Sequence, residues 1–372
     1  MSASSLSPLP PNPRVLVIVM RRLGDVLVTT PLIHRLRTGL PGAVVDVLVL
    51  AGTQGVLAGN PDVAEVIAVE PRSSVAETCR LIARLWRHYD VAVSTQTGDR
   101  PIFLAFVAGR RRIGLAPARG GGAWWKRRLL DQPVTVDPGN HRIIELMRLA
   151  DVVGAAGKSQ PVVPGSAAPP VPNMARRPYA VLHADPMYRY KRWTHEGWRA
   201  LARALAQRGL GVAVTGGPDP DERAYLDALW DPADPPVERL DGRLDWPQLA
   251  ALIGGAAVYV GTDTSMSHLA AGTGCPTVAI FGPVSPHLMG PWPLEWPAKS
   301  WVAVDTIQQR GNVWIVQKAL PCQPCEKLGC ERHYDSYSRC LDELSVEEVL
   351  IAVDEALHGG RTIGTRDQAI RA

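Results

Sequence analysis

Asp25 is the first residue whose type and position can do chemistry. It follows the apolar run 15–20, the pair Arg21 and Arg22, and Gly24, where a helix-like pattern begins. A carboxylate at such a junction has two readings. It can cap the helix, accepting a backbone N–H and complementing the positive helix end. It can instead stand ionised at a strand's carboxyl end as a general base. Gly24 permits a sharp turn. Pro31, inside the helix pattern, removes a hydrogen bond and is expected to bend it. The junction lacks G-x-G-x-x-G, and a carboxylate there repels a pyrophosphate, so nucleotide phosphates are expected elsewhere. Asp25 is therefore read as the base, at a cleft between two halves of the chain.

The phosphate-type features come later. In "VYVGTDTSMSHLAAGTGCPTVAIFGPVSP" a strand hands over to a helix through Gly261-Thr262-Asp263-Thr264-Ser265, whose small residues leave the first helical N–H groups open to an anion. His268, four residues after Thr264, shares its helix face. The plainer reading is a capped helix with a buried histidine. Lys191, in "MYRYKRWTHEGW", follows another strand end. It can neutralise a diphosphate leaving group or be a solvated charge. Asp219 and Asp221 form a D-x-D inside a Gly/Pro-rich turn and read as loop, not as a divalent-metal site.

Cys322, Cys325, Cys330 and Cys340 give C-x2-C-x4-C-x9-C and hold four of the six cysteines. The close pair has structural-zinc spacing, though the later intervals are short for a zinc ribbon. A structural zinc or iron and unpaired reduced thiols both remain open. "GRRR" (109–112) and "WWKRR", which holds Trp124, Trp125, Lys126, Arg127 and Arg128, place cations and tryptophans in the first half. They read either as a solvated loop or as contacts to an anionic acceptor or membrane surface.

These residues need elements to position them. Strand-like runs 14–20, 44–50, 65–70 and 90–96 alternate with helical patterns. In 74–89, Val75, Cys79, Ile82 and Trp86 recur at spacings of three and four and mark one apolar stripe. Six prolines in 159–178 make that stretch a linker. The alternation restarts with strands at 179–185, 211–217, 257–263 and 276–282 and helices at 195–208 and 264–272. Two α/β halves result, each a parallel sheet covered on both faces. Ligands of such halves sit at the strands' carboxyl ends, where Asp25, Asp185, Gly216 and Asp263 all fall.

The expected organisation is a disordered start (1–13), an acceptor-binding domain (14–158), the linker (159–178) and a donor-binding domain (179–344) carrying the Cys-rich segment 321–340. A terminal helix (345–358) and a flexible tail (359–372) follow. With 372 residues, 46% hydrophobic and 20% charged, the composition is that of a globular protein of two domains. A net charge of +4 does not argue for nucleic acid. No stretch approaches the ~20 apolar residues of a membrane span. The first residues do not read as a secretory signal, so a cytoplasmic location is expected.

Taken together, "RRLGDVLVTTPLIHRLR", "YKRWTHEGW" and "GTDTSMSHLAAGTGCPTVAIFGPVSP" resemble the ADP-heptose:lipopolysaccharide heptosyltransferases, glycosyltransferase family 9. The details look closest to the branch that adds a side, third heptose to the inner core. The resemblance covers about residues 14–357. It implies an α/β GT-B architecture of two facing Rossmann-like doubly wound domains, an ADP-L-glycero-D-manno-heptose donor, inversion at the anomeric carbon and no cofactor for catalysis. It places the base on Asp25, a donor-phosphate contact on Lys191, and further donor contacts on Asp263, Thr264, Ser265 and His268. Ser265 departs from the glycine usual there. A lipid A-core acceptor would meet Arg21, Arg22 and the 124–128 patch, with the enzyme peripheral at the cytoplasmic face of the inner membrane. The competing readings are a GT-B transferase of another nucleotide sugar and a two-domain nucleotide-sugar binding protein without chemistry. A dehydrogenase is disfavoured, because no glycine fingerprint opens either half.

Overall fold

The computed structural model describes residues 8–118, 123–165, 178–230, 237–297 and 299–363. The chain divides into two compact units, Met1–Val162 and Val163–Ala372. The division falls within the Pro-rich stretch 159–178. Positions 1–7 of the expected disordered start, 166–177 of the linker and 364–372 of the tail lie outside the described residues.

The first unit runs β1 (Arg14–Val19), α1 (Leu23–Gly39), β2 (Val44–Leu50), β3 (Glu65–Val69), α2 (Val75–Leu85), β4 (Tyr89–Ser94), α3 (Asp99–Ala108), β5 (Gly109–Ala116), α4 (Ala123–Leu129), β6 (Gln132–Thr135) and α5 (Arg142–Val153). Its sheet has the order β3-β2-β1-β4-β5-β6, parallel throughout. Val15, Leu16, Val17, Ile18 and Val19 of β1 are all fully buried, as a central strand covered on both faces requires.

α1 stays one helix through Pro31. The carbonyl that Pro31 leaves without its helical donor is that of Leu27, and the Thr30 hydroxyl donates to it at 2.8 Å. In α2 the stripe of Val75, Cys79 and Trp86 points outward: Val75 is 82% and Trp86 61% exposed, and Cys79 is exposed. Leu81, Ile82 and Leu85 pack on the core instead. The helix has two apolar strips, and it ends at Leu85, so Trp86 leaves the helical register. "GRRR" is no solvated loop but the start of β5, paired to β4. Arg112 is gripped by the Asp131 carboxylate, with Nε at 2.9 Å, and lies 5.1 Å from the Phe106 ring.

The second unit runs β7 (Tyr179–His183), a 3₁₀ turn (Arg189–Lys191), α6 (His195–Gln207), β8 (Gly211–Thr215), α7 (Pro220–Leu229), β9 (Glu238–Arg239), α8 (Trp246–Gly254) and β10 (Val258–Thr262). It continues with α9 (Ser265–Thr273), β11 (Thr277–Ile280), α10 (Pro286–Met289), β12 (Ile307–Arg310), β13 (Val313–Val316), α11 (Arg339–Asp342) and α12 (Val346–Ile363). The order β12-β13-β11-β10-β7-β8-β9 repeats the doubly wound pattern of the first unit, with β12 added antiparallel at one edge. Asp219 is the N-cap of α7, accepting from the Asp221 and Glu222 N–H groups, so the D-x-D opens a helix. Trp193 and Trp198 meet edge to face at 5.2 Å in the core, and the Trp193 indole donates to the Leu344 carbonyl at 2.9 Å. Of the tryptophans that outnumber phenylalanine in this chain, these two and Trp301 are among the fully buried side chains.

Candidate active site

In each sheet the winding reverses between two neighbouring strands, and the crevice beyond their carboxyl ends is where such sheets bind ligands. In the first unit those strands are β1 and β4. The residues that follow them are Arg21, Arg22 and Asp25 on one side and Gln96 and Thr97 on the other. Arg22 is the N-cap of α1 and makes no side-chain capping bond. Asp25 is the third residue of α1, three positions past the N-cap, so the N-cap reading fails. Its side chain is 15% exposed, and its nearest cation is Arg21, Nη1 to Oδ1 3.7 Å. Thr29 Oγ1 donates to the Asp25 backbone carbonyl at 2.7 Å, a bond that does not engage the carboxylate.

Arg142, at the start of α5, was not singled out by the sequence. Its Nη2 donates to the Thr95 carbonyl at 2.6 Å. Burial lowers its pKa, while the charges of Asp25 and Glu145 oppose that and Arg21 adds to it. No spacing in the sequence links positions 25 and 142. The sheet order does, because β6 leads into α5 beside the ends of β4 and β5.

In the second unit the reversal lies between β7 and β10. The turn after β7 carries Lys191, and β10 runs into Asp263, Thr264 and Ser265. Lys191 Nζ meets Asp263 Oδ2 at 2.5 Å, with the two side chains 22% and 10% exposed. Lys191 is thus not a solvated charge, and two residues 72 positions apart share one site. Thr264 caps α9, its hydroxyl accepting from the Met266 N–H at 3.2 Å. Ser265 is the first residue of α9, and His268 lies half-buried one turn on. Asp185, also at the end of β7, is committed to Arg192 at 2.7 Å. Burial pushes its carboxyl up, and Arg192 draws it back down.

The 124–128 patch forms α4. Trp124 is 72% exposed and Arg128 is exposed. Lys126 is turned inward to Asp99 at 2.7 Å and to the Thr97 carbonyl at 3.0 Å, and Arg127 donates to Thr135 Oγ1 at 3.0 Å.

The four clustered cysteines are neighbours. Burial pushes the Cys340 thiol up to about 12, and Cys325, Cys330 and Cys322 add to that shift. The Arg339 N–H donates to Cys330 Sγ at 3.4 Å. They are not drawn into a coordination shell: among the described residues no three of His, Cys, Asp and Glu have such an arrangement. Their segment is tied to the lysine turn. Ser338 Oγ donates to the Tyr190 carbonyl at 2.6 Å, Arg189 donates to the Asp335 carbonyl at 3.1 Å, and Tyr188 stacks on Tyr334 at 4.6 Å.

Two doubly wound units in succession, each with polar side chains gathered at its point of reversal, form the GT-B architecture. The fold is that of the ADP-heptose lipopolysaccharide heptosyltransferase II of Escherichia coli, with a TM-score of 0.70 at 18% identity over 94% of this chain and 99% of that one. The model of glycosyltransferase family 9 (heptosyltransferase) matches residues 78–295. Lipopolysaccharide heptosyltransferase 3 of Escherichia coli is 26% identical over 326 residues, 81% of this chain and 94% of the relative. Lipopolysaccharide heptosyltransferase 1 of Pseudomonas aeruginosa is 26% identical over 365 residues, 91% of this chain and 93% of the relative. The chain belongs to glycosyltransferase family 9. It is therefore an enzyme, and the non-catalytic reading falls away.

Proposed function

We propose that this enzyme transfers heptose from ADP-L-glycero-D-manno-heptose to the inner core of lipopolysaccharide, with inversion, and that Asp25 is its general base. The observation that carries the reading is the carboxylate of Asp25, 15% exposed and 3.7 Å from Arg21, at the first unit's point of reversal. The names of the relatives support the substrates, and similarity to heptosyltransferase 3 favours the branch that adds the third heptose.

An acceptor hydroxyl is a weak nucleophile. As its oxygen bonds to the anomeric carbon, its proton passes to Asp25, and the bond from that carbon to the ADP oxygen breaks. Such proton transfer is worth ~10²–10⁴-fold in rate. In this reading the charge on the departing diphosphate is met by Lys191 and the N-terminus of α9, with Thr264, Ser265 and His268. Asp263 holds Lys191 in position. The step uses no metal. The C-x2-C-x4-C-x9-C spacing of Cys322, Cys325, Cys330 and Cys340 supports a structural zinc or iron in the adjoining loop, which their side chains would have to close around. Exposed Trp124 and Arg128 support contact with a lipid-linked acceptor at the cytoplasmic face of the inner membrane. Among the described residues no helix is long and apolar enough to cross a membrane.

The test is a panel of nucleotide sugars with heptose-deficient core lipid A, read as nucleotide release. ADP release with ADP-heptose alone is the expected result, and equal turnover of a UDP- or GDP-sugar favours the transferase of another donor. Asp25→Asn keeps the size of the side chain, so it is expected to fold, to bind ADP unchanged and to turn over ~10²-fold more slowly or worse. Turnover within a few-fold of wild type removes Asp25 from the role.

A further inference from the structure

The first unit contains a cavity of about 380 Å³ at the carboxyl ends of its strands, lined by Arg21, Gln96, Thr97, Leu115, Val136 and Arg142 among others. Its polar wall includes the donors of Arg21, Gln96 and Arg142. Gln96 is 6% exposed, and its amide nitrogen finds no hydrogen-bond partner among the described residues. Arg142 uses one of its five donors, on the Thr95 carbonyl. Of the acids that act on Arg142 through charge, Glu145 is committed to Arg148 at 2.8 Å and to Asn140 at 2.6 Å. Asp25, the other, is the proposed base. A buried amide is costly to leave unmatched, and native structures supply such groups with an acceptor; beside it the half-buried Arg142 guanidinium offers further donors.

The complement of this wall is a compact anion with two or more oxygens, which a guanidinium takes through paired hydrogen bonds. The rest of the lining, Leu115 and Val136 with prolines between them, suits the carbon face of a sugar ring. The volume is at the small end of the ~300–1,000 Å³ typical of ligand pockets, room for one ring and its charged substituent.

We propose that Arg142, Gln96 and Arg21 form a subsite for a carboxylate or phosphate monoester on the acceptor sugar, which orients that sugar beside Asp25. The proposal rests on the reading of this unit as the acceptor side. It assigns Arg142 and Gln96 to binding, and it makes the charged substituent a determinant of which acceptor is used.

The experiment titrates glucuronate, glucose 6-phosphate and neutral glucose into the full-length protein and follows binding by ligand-observed NMR. At least one anionic sugar is expected to bind ~10-fold or more tightly than glucose, the size of a charge-assisted hydrogen bond. Whichever anion is preferred identifies the substituent as carboxylate or phosphate. Arg142→Met, which keeps the aliphatic stem, is expected to abolish the preference, and Arg142→Lys to keep part of it. Calorimetry with ADP, together with thermal melts, checks that each variant is folded and still binds nucleotide. Should Arg142→Met fail to fold, Gln96→Leu carries the same expectation of a weakened preference. Equal binding of all three sugars by the wild type overturns the subsite, and so does an undiminished preference in the folded variants. A protein that prefers the anionic sugar yet transfers nothing from ADP-heptose upholds the subsite and overturns the proposed function.

Discussion

Lys191 and Asp263 show how much one pair of charges can say. An ammonium and a carboxylate at 2.5 Å, both largely shielded from water, hold each other in a single geometry. If Lys191 meets the donor diphosphate, Lys191→Ala is expected to weaken ADP binding by roughly 10–100-fold, since a charge-assisted contact contributes about 1.5–3 kcal/mol. Calorimetry with ADP checks it, and unchanged affinity moves the donor site elsewhere. His183, on β7, is a buried neutral imidazole bonded to Thr215 Oγ1 at 3.1 Å. Burial drives its pKa down to about 4, and a hydrogen bond with the Thr215 backbone opposes this. Above the unfolded-state value, near 6.5, it has no effect on stability. As pH falls from there toward 4, the unfolded chain takes up a proton that the folded chain refuses, so stability declines. Below about 4 both states are protonated and the decline stops. The loss over that window is on the order of 3 kcal/mol. Urea denaturation at pH 7 and pH 5 is expected to show a large part of it, and His183→Gln to flatten that part of the profile.

At the scale of elements, the loop that carries the cysteines is also the brace of the turn that carries Lys191. Ser338, Asp335 and Tyr334 each hold that turn through a different contact. A metal on Cys322, Cys325, Cys330 and Cys340 would stiffen the brace without entering the reaction. Elemental analysis of protein purified without chelator is expected to return close to one equivalent of zinc or iron. Cys325→Ser is expected to lower the melting temperature while leaving turnover per folded molecule largely intact. Less than about a tenth of an equivalent, with Cys322 and Cys330 freely titratable, identifies the four as reduced thiols. Where there is no metal, Cys340 is still expected to resist alkylation at neutral pH, because burial and its neighbours hold it as the thiol. α1 shows a smaller form of the same economy. A proline in mid-helix is tolerated because the neighbouring threonine supplies the missing donor.

At the scale of the whole molecule, one winding order is used twice. Each unit reverses beside its first strand, and each places its polar residues at that reversal. The alternation of apolar runs and helical patterns made this much legible, because buried parallel strands read as continuous hydrophobic runs. The short polar strands were not legible. β5 carries three arginines after its first residue, β9 has two residues, and β12 is polar at every position after its first. Such strands form because a neighbouring strand already presents its hydrogen-bonding edge, a fact that no local pattern carries.

Asp25, Lys191 and the 263–268 segment were within reach of the sequence by itself. Each follows an apolar run that could only be a strand, and strand ends are where this architecture keeps its chemistry. The sequence also determined the α/β class and the gathering of four cysteines. Only the tertiary structure decided that Asp25 is no cap, that Lys191 is paired with Asp263, and that the stripe of Val75 and Trp86 faces outward. It alone placed Arg142 and Gln96 in one cavity with Arg21. The physical reason is the same in each case. Propensity and periodicity are properties of neighbours along the chain, whereas charge pairing and the choice of buried face depend on groups that sheet order brings together from tens of residues away.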